Sequence, residues 1–324
     1  MDPENRRGGP VTPTEFLTIA GWQNAARTPM TGDASARHYA RLTDHGRSAI
    51  LMQAPDDGST PAFQKIARYL RLNGLAAPTI YAGQPDQGLL LIQDFGDQRF
   101  ADIADADPTA APRLYQLATD VLIHLSRIPA MAGLPVYDGK TMADQAMLFF
   151  DWALPDQPLP DPALKEPLRQ ALITAARPFD RQQRVTMLRD YHAENLMLRS
   201  ETGLAAAGLL DFQDAMQAHP AYDLVSLLQD ARRDVDPQIE QDMTFRYMAE
   251  TDHDSTDFYA AYALYGTARA LRILGIFARL NARDGKARYL AFAPRVRANL
   301  ERNLQHPHLS DIARVLTPWL EATA

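Results

Sequence analysis

The chain of 324 residues contains no cysteine. Disulfides, thiolate metal sites and cysteine nucleophiles are therefore excluded. Long apolar runs are also missing, and no stretch approaches the roughly 18 residues a membrane span needs. Residues 1–10 are polar and lack the hydrophobic centre of a signal peptide. The expected location is cytoplasmic, with no membrane partner. An excess of positive charge is absent as well. Lys and Arg number 33 against 40 Asp and Glu, for a formal net charge of -7. A broad nucleic-acid surface needs cations to displace phosphate counter-ions, so no nucleic-acid partner is expected. A local basic pocket for a small anion stays open.

What is present is the composition of an ordinary globular protein, 46% hydrophobic and 23% charged. The length suits two domains at roughly 150 residues each. Thr12-Pro13-Thr14-Glu15 reads as a capping box that opens a helix. The turn at 32–35 precedes two strand-like runs, 37–43 and 48–53, joined by Asp44-His45-Gly46-Arg47, a hairpin signal. A helix follows with Thr60 as N-cap and Pro61 at its first position, closed by Gly74. Two more strands are expected at 78–82 and 88–93.

From Asp94 the pattern changes to long helices, at 112–127, 220–232, 257–283 and 286–304. Short β-like pieces lie between them at 184–188, 196–199 and 208–212. The expected class is α+β: a small sheet-containing N-lobe over 1–93 and a larger, mainly helical C-lobe over 94–324.

The chemistry concentrates in Leu188-Arg189-Asp190-Tyr191-His192-Ala193-Glu194-Asn195. Asp190 and Asn195 bracket a loop between two β-like pieces, and Asp211 ends the apolar run that follows. Phosphoryl transfer asks for one carboxylate to orient and deprotonate a hydroxyl, and for oxygen ligands to hold Mg²⁺ against the phosphates. Asp190 suits the first role; Asn195 and Asp211 suit the second. An Asp-x-x-x-x-Asn pair by itself reads more readily as turn capping. The β-loop-β context and the strand-terminal Asp211 are what favour catalysis.

Leu188 to Asn195 resembles the catalytic loop of the aminoglycoside phosphotransferase family, whose pattern is His-Gly-Asp-x-His-x-x-Asn. Leu209-Leu210-Asp211-Phe212 resembles the metal-binding strand end of that family, and His219-Pro220-Ala221-Tyr222-Asp223-Leu224 the stretch after it. Within the superfamily the likeness is to the anomeric sugar kinases that phosphorylate N-acetylmuramate and N-acetylglucosamine at C1. It extends through Gly32-Asp33-Ala34-Ser35, Ile50-Leu51-Met52 and Leu274-Gly275-Ile276-Phe277.

The resemblance implies a protein-kinase-like two-lobed fold and an ATP- and Mg²⁺-dependent transfer to a small-molecule sugar. It implies that Asp190 is the base, that Asn195 and Asp211 are metal ligands, and that Asp223 braces the catalytic loop. Aminoglycoside, choline-type or other small-alcohol kinases, and a nucleotide-binding pseudokinase, are the alternatives.

Further candidates surround this core. Gly32, Asp33 and Ser35 are expected to cover phosphates, the alternative being a plain turn. Gln93, Asp94 and Phe95 are expected at the nucleotide hinge, the alternative being an ordinary strand exit. His192, Glu194, Gln213, Asp214, Arg232 and Arg233 are candidates for substrate contact, His192 also for a loop brace. One of the two arginines is a candidate partner for a lactyl-ether carboxylate. Arg269 and Arg272, three apart on the long helix, read as a solvated face. Two departures from the family pattern stand out. Leu188 and Arg189 replace its usual His and Gly. The second hairpin strand, Ile50-Leu51-Met52, lacks the phosphate-pairing Lys, so either a cation comes from elsewhere, with Arg37, Arg41 and Lys65 as candidates, or Mg²⁺ does more of that work.

Overall fold

The computed structural model describes residues 11–30, 37–152, 154–155 and 159–323. In chain order its helices and strands are α1 (Pro13–Ile19), β1 (Ala26–Met30), β2 (His38–Asp44), β3 (Arg47–Gln53), α2 (Ser59–Leu72), β4 (Ile80–Gln84), β5 (Leu89–Ile92), α3 (Phe100–Ala106), α4 (Ala111–Arg127), α5 (Gly139–Ala146) and α6 (Lys165–Ala176). There follow β6 (Val185–Met187), β7 (Leu196–Leu198), β8 (Ala207–Leu209), β9 (Met216–Ala218), α7 (Ala221–Leu228), α8 (Pro237–Thr251), α9 (Ser255–Asp284), α10 (Ala293–Leu304) and α11 (Ser310–Ala322). The chain divides into two compact units. One holds the described residues up to Asp102 together with Asn195–Asp214; the other holds Ile103–Glu194 and Ala215 onward.

The first unit is built on a five-stranded antiparallel sheet in the order β1-β2-β3-β5-β4. The β2–β3 hairpin turns at His45 and Gly46, both at positive φ (46° and 81°), as a two-residue turn that follows strand twist requires. Alternation along the strands decides the core. Leu42, Ala49, Leu51, Leu89 and Leu91 pack with Phe16 and Leu17 of α1 and with Trp22, while Ile50, Met52, Leu90 and Ile92 are buried on the alternate positions. The capping box on α1 is present in full, with Thr12 and Glu15 satisfying each other's backbone N–H.

Two local expectations need correction. Helix α2 starts at Ser59, not at Pro61. The Asp57 carboxylate accepts the Ser59 N–H at 2.9 Å, Gly58 takes a left-handed conformation before the first turn, and Thr60 lies inside the helix and is buried. Strand β1 was not foreseen. It is an edge strand, exposed along its whole length and containing Pro29, so neither burial alternation nor β-propensity marks it.

The second unit is helical, with α9 as its spine. Asp254 caps α9 by accepting the Asp257 N–H at 3.0 Å, and Gly285 closes it at positive φ. Nineteen of its thirty residues are buried, more than one amphipathic stripe supplies, because it packs against α5, α7 and α10. The one large misreading falls here: Arg269 is 6% exposed and donates to the Gln229 carbonyl at 3.3 Å, so its position is no solvated face. A two-stranded sheet, β6 with β9, pairs Val185 with Ala218 and Met187 with Met216.

Gly275 lets the backbone at Leu148 and Phe149 approach α9 closely. A Cβ there would stand 2.6 Å from the Leu148 carbonyl oxygen and 2.9 Å from the Phe149 nitrogen, both backbone atoms that cannot rotate away. Helix propensity alone would make Gly275→Ala stabilising by about 1 kcal/mol. The clash with fixed backbone costs about 3 kcal/mol, at the upper end of overpacking penalties, so the sign reverses and a net loss of about 2 kcal/mol is expected. Urea unfolding reads this as a lower midpoint at unchanged slope; an equal or higher midpoint would disprove the packing argument.

Candidate active site

The loop carrying Asp190 leaves β6 in the helical unit, and its shape is set by one buried carboxylate. Asp223, in the first turn of α7, accepts the N–H of Leu188 at 2.5 Å and of Arg189 at 2.9 Å, one on each oxygen. These are the hydrogen bonds the family resemblance implies. Burial, with a smaller contribution from the nearby charge of Asp190, pushes the Asp223 carboxyl up to about 7, against the pull of these two donors.

Arg189 adopts φ +73°, a region that L-residues other than Asn and Asp enter at a cost of about 1–2 kcal/mol. Here lies the physical reason for the family's usual Gly at this position. Three contacts hold Arg189 in place: its N–H on Asp223, its carbonyl accepting from Ser226 Oγ at 3.3 Å, and its guanidinium donating to Gln145 Oε1 at 3.2 Å. Beyond Asp190, the Tyr191 hydroxyl donates to the Ala118 carbonyl at 2.8 Å and is buried. The loop is thus tied on both sides of Asp190. Gln145 carried no motif, and only its place on α5 brings it here.

Asn195 and Asp211 belong to the sheet unit. They stand at the open end of the β7–β8 hairpin, in which Leu196 pairs with Leu209. The Leu210 N–H donates to the Asn195 carbonyl at 3.0 Å, so Asn195 lies opposite the residue just before Asp211. The hairpin is fastened to the rest of its unit. Leu209 N–H donates to Ala76 O at 2.7 Å and Leu198 N–H to Gln98 O at 2.7 Å. The Phe212 ring stacks on Phe63 of α2 at 4.8 Å, and the Arg199 guanidinium lies over Phe95.

Asp211 has φ +57°, and its side chain is 41% exposed. One carboxylate oxygen accepts from Arg37 at 3.2 Å and from Gln213 at 2.9 Å. An amide oxygen and a carboxylate at the same end of one hairpin suit Mg²⁺, which takes hard oxygen donors and keeps most of its waters. Among the described residues no group of three or more His, Asp or Glu is gathered as a metal cluster, and a site of this composition needs none.

The remaining candidates distribute unequally. Gln93 spends its side chain on Thr79, accepting from its Oγ1 at 3.1 Å, and its own N–H donates to the Thr79 carbonyl at 2.8 Å. Asp94 pairs with Arg41 at 2.8 Å, and Arg41 also reaches Asp97 at 2.8 Å. Arg41 is therefore committed to the 94–97 stretch, and Lys65 is exposed on α2, whereas Arg37 points to Asp211. Gln213 and Asp214 stay beside Asp211, with Gln213 Nε2 within 3.4 Å of Asp214. In the helical unit Arg232 approaches both His192 and Glu194, and Arg233 pairs with Asp105. Gly32, Asp33 and Ser35 lie outside the described residues.

Two further buried groups, Asp230 and Arg269, were not singled out as site residues from the sequence. Asp230 is 1% exposed, and burial raises its carboxyl pKa, opposed by the Arg232 N–H and the charges of Arg269 and Arg232. An acid next to two arginines at a helix end carries no sequence signal of burial.

The model of the phosphotransferase enzyme family matches residues 27–259. The chain is 35% identical to the N-acetylmuramate/N-acetylglucosamine kinase of Caulobacter vibrioides, covering 92% of this chain and 93% of that one. It is 32% identical to the protein of the same name from Pseudomonas aeruginosa, covering 93% and 92%. Among solved structures it is similar to a choline/ethanolamine kinase family protein from Mesorhizobium loti, with TM-score 0.66 and 13% identity over 93% of this chain and 96% of that one. It is also similar to the GDP complex of wild-type aminoglycoside 2'-phosphotransferase-IIIa, with TM-score 0.62 and 17% identity over 88% and 96%. These two likenesses establish the protein-kinase-like fold. With a family model spanning most of the chain and relatives above 30% identity along nearly its full length, the chain belongs to the phosphotransferase enzyme family and is a small-molecule kinase.

Proposed function

We propose that this kinase transfers the γ-phosphoryl group of ATP to the anomeric hydroxyl of N-acetylmuramate and N-acetylglucosamine, in the cytoplasm, as a step in cell-wall sugar recycling. The observation that carries the reading is the near-full-length similarity to relatives named for those two sugars. Among the described residues no helix is long and apolar enough to cross a membrane.

In this mechanism Asp190 accepts the proton of the attacking hydroxyl. Its backbone is positioned by Asp223, through the N–H groups of the two preceding residues. Asn195 and Asp211 hold Mg²⁺, which when bound neutralises phosphate charge that develops during transfer. Arg37, already on the Asp211 carboxylate, supplies the cation that β3 lacks. Gln213 orients Asp211 by donating to the same oxygen.

The acceptor is tested by acceptor-dependent ADP release from Mg-ATP. Turnover is expected with N-acetylmuramate and N-acetylglucosamine, and not with aminoglycosides or choline. Tight nucleotide binding with no turnover on any acceptor would instead favour a pseudokinase.

Asp190→Asn keeps the shape of the side chain and removes the base. Turnover is expected to fall about 10²–10⁴-fold with nucleotide affinity retained, as read by titration calorimetry. Undiminished turnover would take Asp190 out of the role.

Asp223 yields a pH prediction. Its folded pKa, about 7, lies above the roughly 3.9 of an unfolded Asp, so the native state binds the extra proton between those values. The stability it contributes is complete below about 4 and is lost as pH rises through about 7. Asp223→Asn removes the titration. The wild-type-minus-variant difference in unfolding free energy should therefore decline from pH 4 to pH 8 in urea melts. A difference that grows with pH would mean that the two N–H donors outweigh burial.

A further inference from the structure

The sequence leaves Arg232 and Arg233 equivalent as partners for a substrate carboxylate, and the helical unit separates them. Arg233 extends to Asp105 at 2.5 Å, a carboxylate whose side chain is 71% exposed. Arg232 lies against the loop that carries Asp190. Its Nη1 is 3.0 Å from His192 Nε2, and its Nε is 3.3 Å from Glu194 Oε2. Those two residues follow Asp190 by two and four positions.

Arg232 is also fixed at its base, where its N–H donates to the buried Asp230 carboxylate at 2.9 Å. Because that carboxylate holds the backbone, the guanidinium takes its charge partner from Glu194. A guanidinium only donates, so His192 Nε2 must accept, which requires a neutral ring protonated on Nδ1. Burial, reinforced by the charges of Arg232 and Arg269, holds the ring pKa well below its usual value, as this contact demands.

Of these two contacts on the guanidinium, the one from Glu194 is the more exposed. Its contact is longer than a good charged hydrogen bond, and its side chain is 37% exposed, where an ion pair stabilises little.

We propose that Arg232 reads the carboxylate of an acceptor's lactyl ether, and that Glu194 is its resident counter-ion, displaced by an anionic acceptor and retained beside a neutral one. This rests on the sugar-kinase reading above. N-acetylmuramate differs from N-acetylglucosamine by that ether, ionised at neutral pH. Exchanging Glu194 for the substrate carboxylate leaves the charge on Arg232 compensated in both complexes. A neutral sugar then meets no bare cation, and an anionic one meets a planar fork suited to bidentate contact. The guanidinium stays aimed by His192 throughout.

Steady-state kinetics with both sugars test the assignment. Arg232→Met is expected to lower kcat/KM for N-acetylmuramate about 30-fold more than for N-acetylglucosamine, mainly through KM, as loss of a charged hydrogen bond implies. Glu194→Gln should shift the ratio the other way, towards N-acetylmuramate. The methyl ester of N-acetylmuramate, assayed with wild-type protein, should lose a comparable factor, and this arm depends on no variant folding. An equal loss on both sugars with Arg232→Met would give Arg232 a structural role only. An ester as good as the free acid would overturn the proposal independently. If wild-type protein turns over both sugars but these ratios stay flat, only the Arg232 assignment falls; if it turns over neither, the sugar-kinase reading falls with it.

Discussion

One buried carboxylate organises the catalytic loop. Asp223 accepts the backbone N–H groups of Leu188 and Arg189 and so holds a non-glycine residue at positive φ immediately before Asp190. Two backbone hydrogen bonds to one side chain determine where the chain turns, and hence where the next carboxylate begins. The arrangement has an electrostatic cost: burial drives Asp223 towards its protonated form, and only the two donors and the Arg269 charge oppose that. A strained backbone and an acid raised to about 7 in one loop are what a functional site, rather than a packing core, tends to collect.

The metal-ligand candidates depend on a different device. Asn195 and Asp211 flank one short hairpin and are placed by it, not by the packing of helices. That hairpin is fastened by backbone bonds to Ala76 and Gln98 and by the Phe63–Phe212 stack. The unit boundary falls between Glu194 and Asn195, inside a motif that reads as continuous. A sequence motif records which residues act together; it does not say which compact unit each belongs to.

β3 carries no lysine, and the two candidate arginines differ in what they reach. Arg37 and Arg41 are four positions apart and look equivalent as replacements. Arg41 is held by Asp94 and Asp97, whereas Arg37 extends to Asp211. Likewise Arg232 and Arg233 are neighbours whose side chains diverge to Glu194 and Asp105. In each pair the difference lies in which carboxylate is within reach, and composition carries no trace of it.

The amino-acid sequence alone determined the features that depend on local chemistry. These are the capping box at Thr12, the tight hairpin at His45-Gly46, the change from strands to helices near Asp94, and the spacing of Asp190, Asn195 and Asp211. Each arises within a few residues, through hydrogen bonds or alternation that neighbours in the chain already dictate. Only the tertiary structure decided that an exposed strand at Ala26–Met30 completes the sheet, that Arg269 is buried, and that Gln145 and Ser226 join in holding Arg189 at its positive φ. It also decided which arginine faces which acid. Those outcomes come from groups up to 174 positions apart meeting in space, where burial and long-range ion pairing outweigh local preference.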